Sequence, residues 1–267
     1  MDASETIELR TGRRMPVLGL GTWQLTRETA ATVQGAVEAG YRMIDTAVDY
    51  GTQPGIGEAL RRIELDRAEL FVVTKVEEDD QAYDAVQRDL GEIGLDYADL
   101  TLIHRPPPSG AGEALWRELM RARDDGLVRD IGVSNYPGKL LDTLAEATGE
   151  MPAVNQIEWS PFGFSDALLH HHRERNVVIQ AYSPLMRGRR LDDERLARVA
   201  EKYGRTPAQI LLRWSLQKGT VPIPKANRRA HYEENLAVFD FELADEEMSA
   251  LDALNEHYSS LGTLPYV

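Results

Sequence analysis

The chain has 267 residues, 42% of them hydrophobic, with 44 acids against 30 bases and a net charge of -14. That length and apolar content suit one large α/β core, and the acid surplus argues against nucleic acid, whose phosphates need a basic surface. With no cysteine, disulfides, thiolate metal sites and cysteine nucleophiles are excluded. No apolar run approaches about 20 residues, and residues 1–10 carry no basic, apolar leader, so the expectation is a soluble, cytoplasmic protein with no membrane partner.

The bases are nearly all arginine, with lysine only at Lys75, Lys139, Lys202, Lys218 and Lys225. A GC-rich genome would favour arginine codons; a solvated acidic surface suited to a high-salt cytoplasm would also leave this excess of acid, and the second is the expectation adopted.

In chain order, Ile7–Arg10, the turn Thr11–Arg14 and Met15–Leu18 read as a β-hairpin plugging the bottom of the domain. Short apolar runs then alternate with helical patterns. Val17–Leu20 precedes a helix capped at Thr26, Met43–Ile44 precedes Gly55–Arg62, and Leu70–Thr74 precedes Gln81–Ile93. Leu100–Ile103 leads to Gly112–Arg123, Val128–Val133 to Lys139–Ala147, and Ala153–Ile157 to Ala167–Arg175. Val177–Gln180 is followed by two helices, Asp193–Tyr203 and Thr206–Gln217, and Val221–Ile223 by Tyr232–Leu236 and Asp245–Leu254. Eight strands, each too continuously apolar for a one-faced sheet and each followed by a helix, predict a single α/β domain over residues 1–267. Its expected form is a (β/α)₈ TIM barrel with an N-terminal hairpin and extra helices near the C-terminus.

What stands where each strand would end is informative: Thr22–Trp23, Asp45, Lys75, His104, Ser134–Asn135, Gln156 with Glu158, Tyr182–Ser183, and Lys225. Barrel enzymes build their sites at that face from several strand ends. Asp45, Tyr50, Lys75 and His104 together suit proton delivery. A phenol near pKa 10 needs a neighbouring ammonium to stabilise its phenolate, and a buried ammonium needs a carboxylate. His104 can orient a carbonyl oxygen to which Tyr50 gives a proton. A hydride donor must then lie opposite: Tyr182 offers a face to a flat ring, and Ser134, Asn135 and Gln156 offer hydrogen bonds to a carboxamide. No Gly-x-Gly-x-x-Gly follows a strand, so phosphates fall to Arg187–Arg190 and Lys225–Arg229. No metal is expected, because His104 has no histidine or carboxylate at ligand spacing, and His170–His172 read as exposed helix surface.

Over essentially its whole length the chain resembles the aldo-keto reductases, and is similar to the small prokaryotic diketo-gluconate and aldehyde reductases among them. The motifs are Gly19-Leu20-Gly21-Thr22-Trp23, Gly40-Tyr41-Arg42 through Asp45-Thr46-Ala47 and Tyr50-Gly51, Thr74-Lys75, Ile103-His104, and Gly132-Val133-Ser134-Asn135. Val154-Asn155-Gln156-Ile157-Glu158, Ala181-Tyr182-Ser183-Pro184-Leu185, and Ile223-Pro224-Lys225 with Glu234-Asn235 complete them. The resemblance implies a catalytic tetrad of Asp45, Tyr50, Lys75 and His104, with Tyr50 the acid, and a nicotinamide held by Ser134, Asn135, Gln156 and Tyr182. Lys225, Glu234 and Asn235 would hold the adenosine end; Thr22, Ser183 and Leu185 complete the cofactor set, and Trp23 walls the substrate pocket. Where the family usually has serine and arginine for the 2′-phosphate, this chain has Ala226 and His231. Arg228 and Arg229 are the replacements at hand, and Asn227 suits a free ribose hydroxyl, so NADP(H) is the expected cofactor with NAD(H) also accommodated. After His104 the usual tryptophan is Arg105, either a surface loop residue or an attractor of acidic or phosphorylated substrates.

The short loops after His104 and Tyr182, and the short tail over residues 255–267, imply an open pocket for small carbonyls, including sugar or keto-sugar acids. Tyr258 and Leu264–Tyr266 either cover the site or pack. Two rivals are a Schiff-base aldolase on Lys75 and a regulatory barrel that senses nicotinamide without turnover. No long apolar surface face stands out, and a monomer is expected.

Overall fold

The computed structural model describes residues 4–25, 27–264 and 266. Eight parallel strands run in chain order around one sheet: β3 (Leu20–Gly21), β4 (Met43–Asp45), β5 (Phe71–Val76), β6 (Ala98–Ile103), β7 (Val128–Ser134), β8 (Val154–Glu158), β9 (Val178–Tyr182) and β10 (Val221–Pro222). The sheet returns on itself where Gly19 N–H donates to Pro222 O and Gly21 N–H to Pro224 O, both at 3.1 Å. Glycine is required at this seam, since a Cβ on Gly21 would stand 2.6 Å from the Ile223 carbonyl oxygen.

The hairpin is β1 (Thr6–Glu8) against β2 (Arg14–Pro16), with Ile7 opposite Met15. It plugs the barrel as expected: Leu9 and Met15 are fully buried against the inward-facing Met43, Phe71, Val73, Leu100, Leu102, Val154, Val178 and Val221. Outward-facing strand residues pack instead on the helical layer, in clusters such as Ile103, Val133, Trp116 and Leu119, or Ile157, Ile179, Ile210 and Trp214.

Ten α-helices lie among the described residues: α1 (Thr29–Ala39), α2 (Gln53–Leu60), α3 (Ala82–Ile93), α4 (Glu113–Asp124), α5 (Gly138–Thr148), α6 (Asp166–Glu174), α7 (Glu194–Tyr203), α8 (Pro207–Gln217), α9 (Arg229–Leu236) and α10 (Asp245–Asp252). The extra helices near the C-terminus are the additional member of the α7–α8 pair and α10. Helix α8 begins where the sequence says it must: Thr206 and Gln209 bond each other's backbone N–H in a capping box, and Pro207 takes the first turn.

Several expected boundaries move. The first barrel strand is only Leu20–Gly21, because Val17 N–H is drawn to Glu5 O of the hairpin. Helix α1 starts at Thr29 after Glu28 in the left-handed region, with no side-chain cap; Thr26, the expected cap, lies outside the described residues. Helix α2 starts at Gln53, with Pro54 in its first turn, and α9 starts at Arg229.

The histidine run also departs from expectation. His170 is exposed, His171 bonds Asp142 at 3.0 Å, and His172 is fully buried. His172 Nδ1 lies 2.8 Å from Leu168 O and its Nε2 2.9 Å from Asn155 Nδ2, so it donates to the first and accepts from the second. Asn155 in turn donates to Tyr136 O at 2.8 Å, tying α6 to the chain just past β7. Burial pushes the His172 imidazole down to about 4. The unfolded chain therefore takes up a proton as pH falls through about 6.5 and the folded chain does not until about 4, so stability present above 6.5 is lost over that window. We expect His172→Gln to flatten the fall in urea midpoint between pH 6.5 and 4, where the wild-type loss from this group is about 3 kcal/mol.

Candidate active site

The pleat decides what reaches the mouth. Residues 43 and 45, 73 and 75, 100, 102 and 104, 132 and 134, 154, 156 and 158, and 178, 180 and 182 alternate on the inner face, with Lys75 opposite Leu102, Ser134 opposite Gln156, and Glu158 opposite Tyr182. Below lie apolar side chains; at the mouth the inward position of these six strands is polar, at Asp45, Lys75, His104, Ser134, Glu158 and Tyr182.

At the centre Lys75, with no exposed surface, donates to both oxygens of Asp45 at 2.9 Å and to Thr46 O at 2.8 Å. Gln156 Nε2 donates to Asp45 Oδ2 at 2.7 Å and to Gln180 Oε1 at 2.6 Å. The Thr22 hydroxyl donates to Asp45 O at 2.8 Å and lies 3.0 Å from Thr52 Oγ1, itself 2.9 Å from Thr46 Oγ1. Both charges of the buried pair are thus neutralised and bonded, which is what lets them stay ionised away from water.

Tyr50 ends a short 3₁₀ turn, Val48–Tyr50. Its ring centroid is 4.8 Å from Lys75 Nζ, and it meets the His104 ring edge-on at 5.9 Å. Burial first, then the carboxylates of Asp45 and Asp49, hold the phenol well above its ordinary range; Arg105 opposes them and Glu77 adds to them. The net direction is therefore upward and not the expected lowering, because burial and the carboxylates outweigh what the Lys75 ammonium, paired with Asp45, contributes.

His104 carries an unexpected partner. Its Nδ1 lies 2.7 Å from Glu77 Oε1 and 3.9 Å from Asp49 Oδ1, so the reading that His104 has no carboxylate at ligand spacing is corrected: the ligand atoms of Asp49, Glu77 and His104 all lie within 4.8 Å of one another. Sequence distance concealed the contact, yet a signal was there: Glu77 is two residues past Lys75, hence on the same side of the chain. Thr46, Gln180 and Asp49 were missed in the same way. Arg105 lies 3.2 Å from Glu77, 3.6 Å from Asp49 and 3.7 Å from Glu78, so its charge is matched by three carboxylates.

On the facing wall the Tyr182 hydroxyl donates to Asn135 Oδ1 at 2.9 Å, while Asn135 Nδ2 donates to His104 O at 3.1 Å and Ser134 Oγ at 3.0 Å. Ser134 Oγ donates to Gln156 O at 2.8 Å. These bonds fix the half-buried Tyr182 ring and use up the amide hydrogens of Asn135 and Gln156. What remains open is acceptor capacity beside an aromatic face, which fits the NH₂ group of a flat carboxamide.

The expected phosphate end is less concentrated. Lys225, Asn227, Arg228 and His231 are exposed, and Lys225 and Arg228 have no acidic partner within 4.0 Å among the described residues; Arg229 pairs with Glu233. Two free cations at the entry to α9 fit a phosphate ester. Ala226 and Asn235 are buried, and Glu234 accepts from Thr206 at the start of α8. Arg187 lies over the half-buried Trp23 ring at 4.1 Å, past the half-buried Ser183 and Leu185. The tail packs on the rim: Ser259 and Ser260 donate to the Glu158 carboxylate, and Tyr266 donates to Glu158 O at 2.6 Å.

A closed β/α barrel whose inner rim joins a buried ion pair, a phenol and an imidazole is the build of a barrel enzyme. The chain belongs to the aldo/keto reductase family, an oxidoreductase family acting on carbonyls, whose model matches residues 17–256. It is 42% identical over 260 residues to aldo-keto reductases of Mycobacterium avium and Mycobacterium tuberculosis, covering 95% of this chain and 91% and 92% of theirs. A Brucella melitensis aldo/keto reductase structure superposes with TM-score 0.90 at 37% identity, over 96% of this chain and 99% of that one. A Bombyx mori aldo-keto reductase solved with NADP gives 0.91 at 34%, over 97% and 95%. No helix among the described residues is long and apolar enough to cross a membrane.

Asp45→Asn would leave the Lys75 ammonium buried without its counter-charge. A loss of about 3–5 kcal/mol in urea unfolding is expected; a change below about 1 kcal/mol would mean the ammonium is not held as an ion.

Proposed function

We propose that this protein reduces aldehydes and ketones to alcohols with NADPH, Tyr50 supplying the proton. The observation that carries the reading is the set of three contacts in which Asp45 holds Lys75, Lys75 faces the Tyr50 ring, and Tyr50 adjoins His104 at one mouth.

A nicotinamide held at this mouth would supply the hydride for the carbonyl carbon. Tyr182, with the acceptor oxygens of Asn135 and Gln156, would hold its ring and carboxamide, and Lys225 and Arg228 its phosphates. As negative charge grows on the carbonyl oxygen, Tyr50 gives it a proton. A phenol held above its ordinary pKa stays protonated at neutral pH, and an alkoxide is the stronger base, so the transfer runs downhill. The phenolate left behind faces the Lys75 ammonium, which stabilises it until water returns the proton.

Three carboxylates around Arg105 leave no spare positive charge for an acidic substrate, which favours small neutral carbonyls over sugar acids. The Lys75–Asp45 pairing disfavours a Schiff-base aldolase, because a lysine nucleophile must shed its proton and here the ammonium is stabilised.

Tyr50→Phe should lower kcat for an aldehyde such as methylglyoxal by roughly 10²–10⁴-fold and leave NADPH affinity within about two-fold, because it deletes a group that acts only in the transition state. Fluorescence quenching gives the affinity; equal loss of both would mark Tyr50 as structural, and a wild-type protein that binds NADPH without consuming it would be a sensor. In the same assay kcat/KM should be higher with NADPH than with NADH, and Arg228→Ala should narrow that ratio; a clear preference for NADH would reverse the cofactor assignment.

A further inference from the structure

We infer that the bottom of the barrel carries a second ligand site, between the hairpin and the starts of β4–β7, which takes a small phosphate ester bearing hydroxyl groups, such as a polyol phosphate. It lies at the opposite end from the mouth and does not rest on the reductase reading.

The site is a cleft of about 570 Å³, walled on one side by Thr6, Arg13, Arg14 and Pro16 of the hairpin. The lower strand ends build the other wall, with Arg42 before β4, Phe71 on β5, Tyr97 and Asp99 at β6, and Arg129 and Asp130 on β7. In a chain of net charge -14, the four arginines of these walls meet Glu69, Asp99 and Asp130. Two of those acids are already engaged. Asp99 accepts from Arg67 at 2.7 Å and from Val72 N–H at 2.8 Å, and Glu69 accepts from Asp66 N–H at 3.1 Å.

Two of the arginines keep their charge unmatched. Arg42 donates to the carbonyl oxygens of Val37 and Tyr41, and Arg129 lies over the Tyr97 ring at 4.2 Å. Neither has an acidic partner within 4.0 Å among the described residues, whereas Arg14 bonds Thr6 and stands 3.9 Å from Glu8. Guanidinium groups steadied by carbonyl and ring contacts, with N–H groups to spare, suit the dianionic head of a phosphate ester.

The floor of the cleft adds an independent observation. Asp130 lines it with no exposed side-chain surface, and its Oδ1 accepts from Thr11 at 2.5 Å. Its Oδ2 has no hydrogen-bond partner among the described residues, and Arg13 Nε stops 3.7 Å away. Burial holds this carboxyl above its ordinary range, and the Thr11 bond and Arg13 offset that only in part. A buried carboxylate oxygen without a hydrogen is costly, and a ligand that brings a donor recovers the cost. Arg13 is 53% exposed, so its side chain can swing aside to admit one. Inorganic phosphate would satisfy the arginines and leave Oδ2 as it is; a hydroxylated phosphate ester satisfies both.

Calorimetric titration of the full chain with sorbitol 6-phosphate, which has no carbonyl to reduce, tests the site. We expect it to bind about ten-fold more tightly than inorganic phosphate, sorbitol not to bind, and Arg42→Ala and Arg129→Ala each to weaken it about ten-fold. Absence of binding at about 10 mM overturns the site. So does affinity that survives in both of those variants and disappears in Lys225→Ala/Arg228→Ala, which would put the phosphate at the other end of the barrel. If Arg129→Ala does not fold, Arg42→Ala decides alone. Asp130→Leu deletes the buried acceptor, and in it sorbitol 6-phosphate should bind no better than inorganic phosphate; a preserved preference overturns the hydroxyl part of the inference. If that variant does not fold, Asp130→Asn replaces it: the lost negative charge should tighten inorganic phosphate while the preference for the ester narrows, and an unchanged preference counts the same way.

Discussion

The rest of the site depends on an ammonium being kept charged at the centre of an apolar barrel. Lys75 has no exposed surface, and it is tolerable there only because Asp45 takes two of its hydrogens and the Thr46 carbonyl the third. Holding Asp45 in place recruits Gln156 from the far side of the barrel, Gln180 behind it, and the threonine hydroxyls of residues 22, 46 and 52. The same ammonium lies under Tyr50, so the scaffold that satisfies the ion also places the phenol. Catalytic geometry and the satisfaction of a buried charge are one set of bonds.

The architecture was legible because every barrel strand is buried on both faces, and such strands read as short apolar runs whatever their register. The same rule explains why the site was legible. The polar residue ending each run sits where the inward alternation emerges from the core, so Asp45, Lys75, His104, Ser134, Gln156 and Tyr182 all fall on one rim. Tyr50 breaks that pattern, since it comes from the turn after β4, and only the aldo-keto reductase resemblance singled it out firmly.

What was not legible were contacts between rims of different strands. Nothing adjacent in sequence joins Glu77 to His104, or Asp49 to Arg105, and residue chemistry alone left His104 as a generic hydrogen-bond donor. Helix periodicity also failed to show that His172 turns inward, because His170 and His171 beside it face solvent and a partner carboxylate. The stop at Leu20–Gly21 has a similar origin: the hairpin competes for the backbone of Val17, which no local propensity records.

The seam between Gly19–Gly21 and Pro222–Pro224 joins the first barrel strand to the last. During synthesis the ring cannot close until the eighth strand has left the ribosome, so a nascent arc of seven strands must carry two unpaired edges, open to neighbouring polypeptides. The brevity of β3, Leu20–Gly21, blunts the first of those edges, since a two-residue strand offers a passing strand little to pair with.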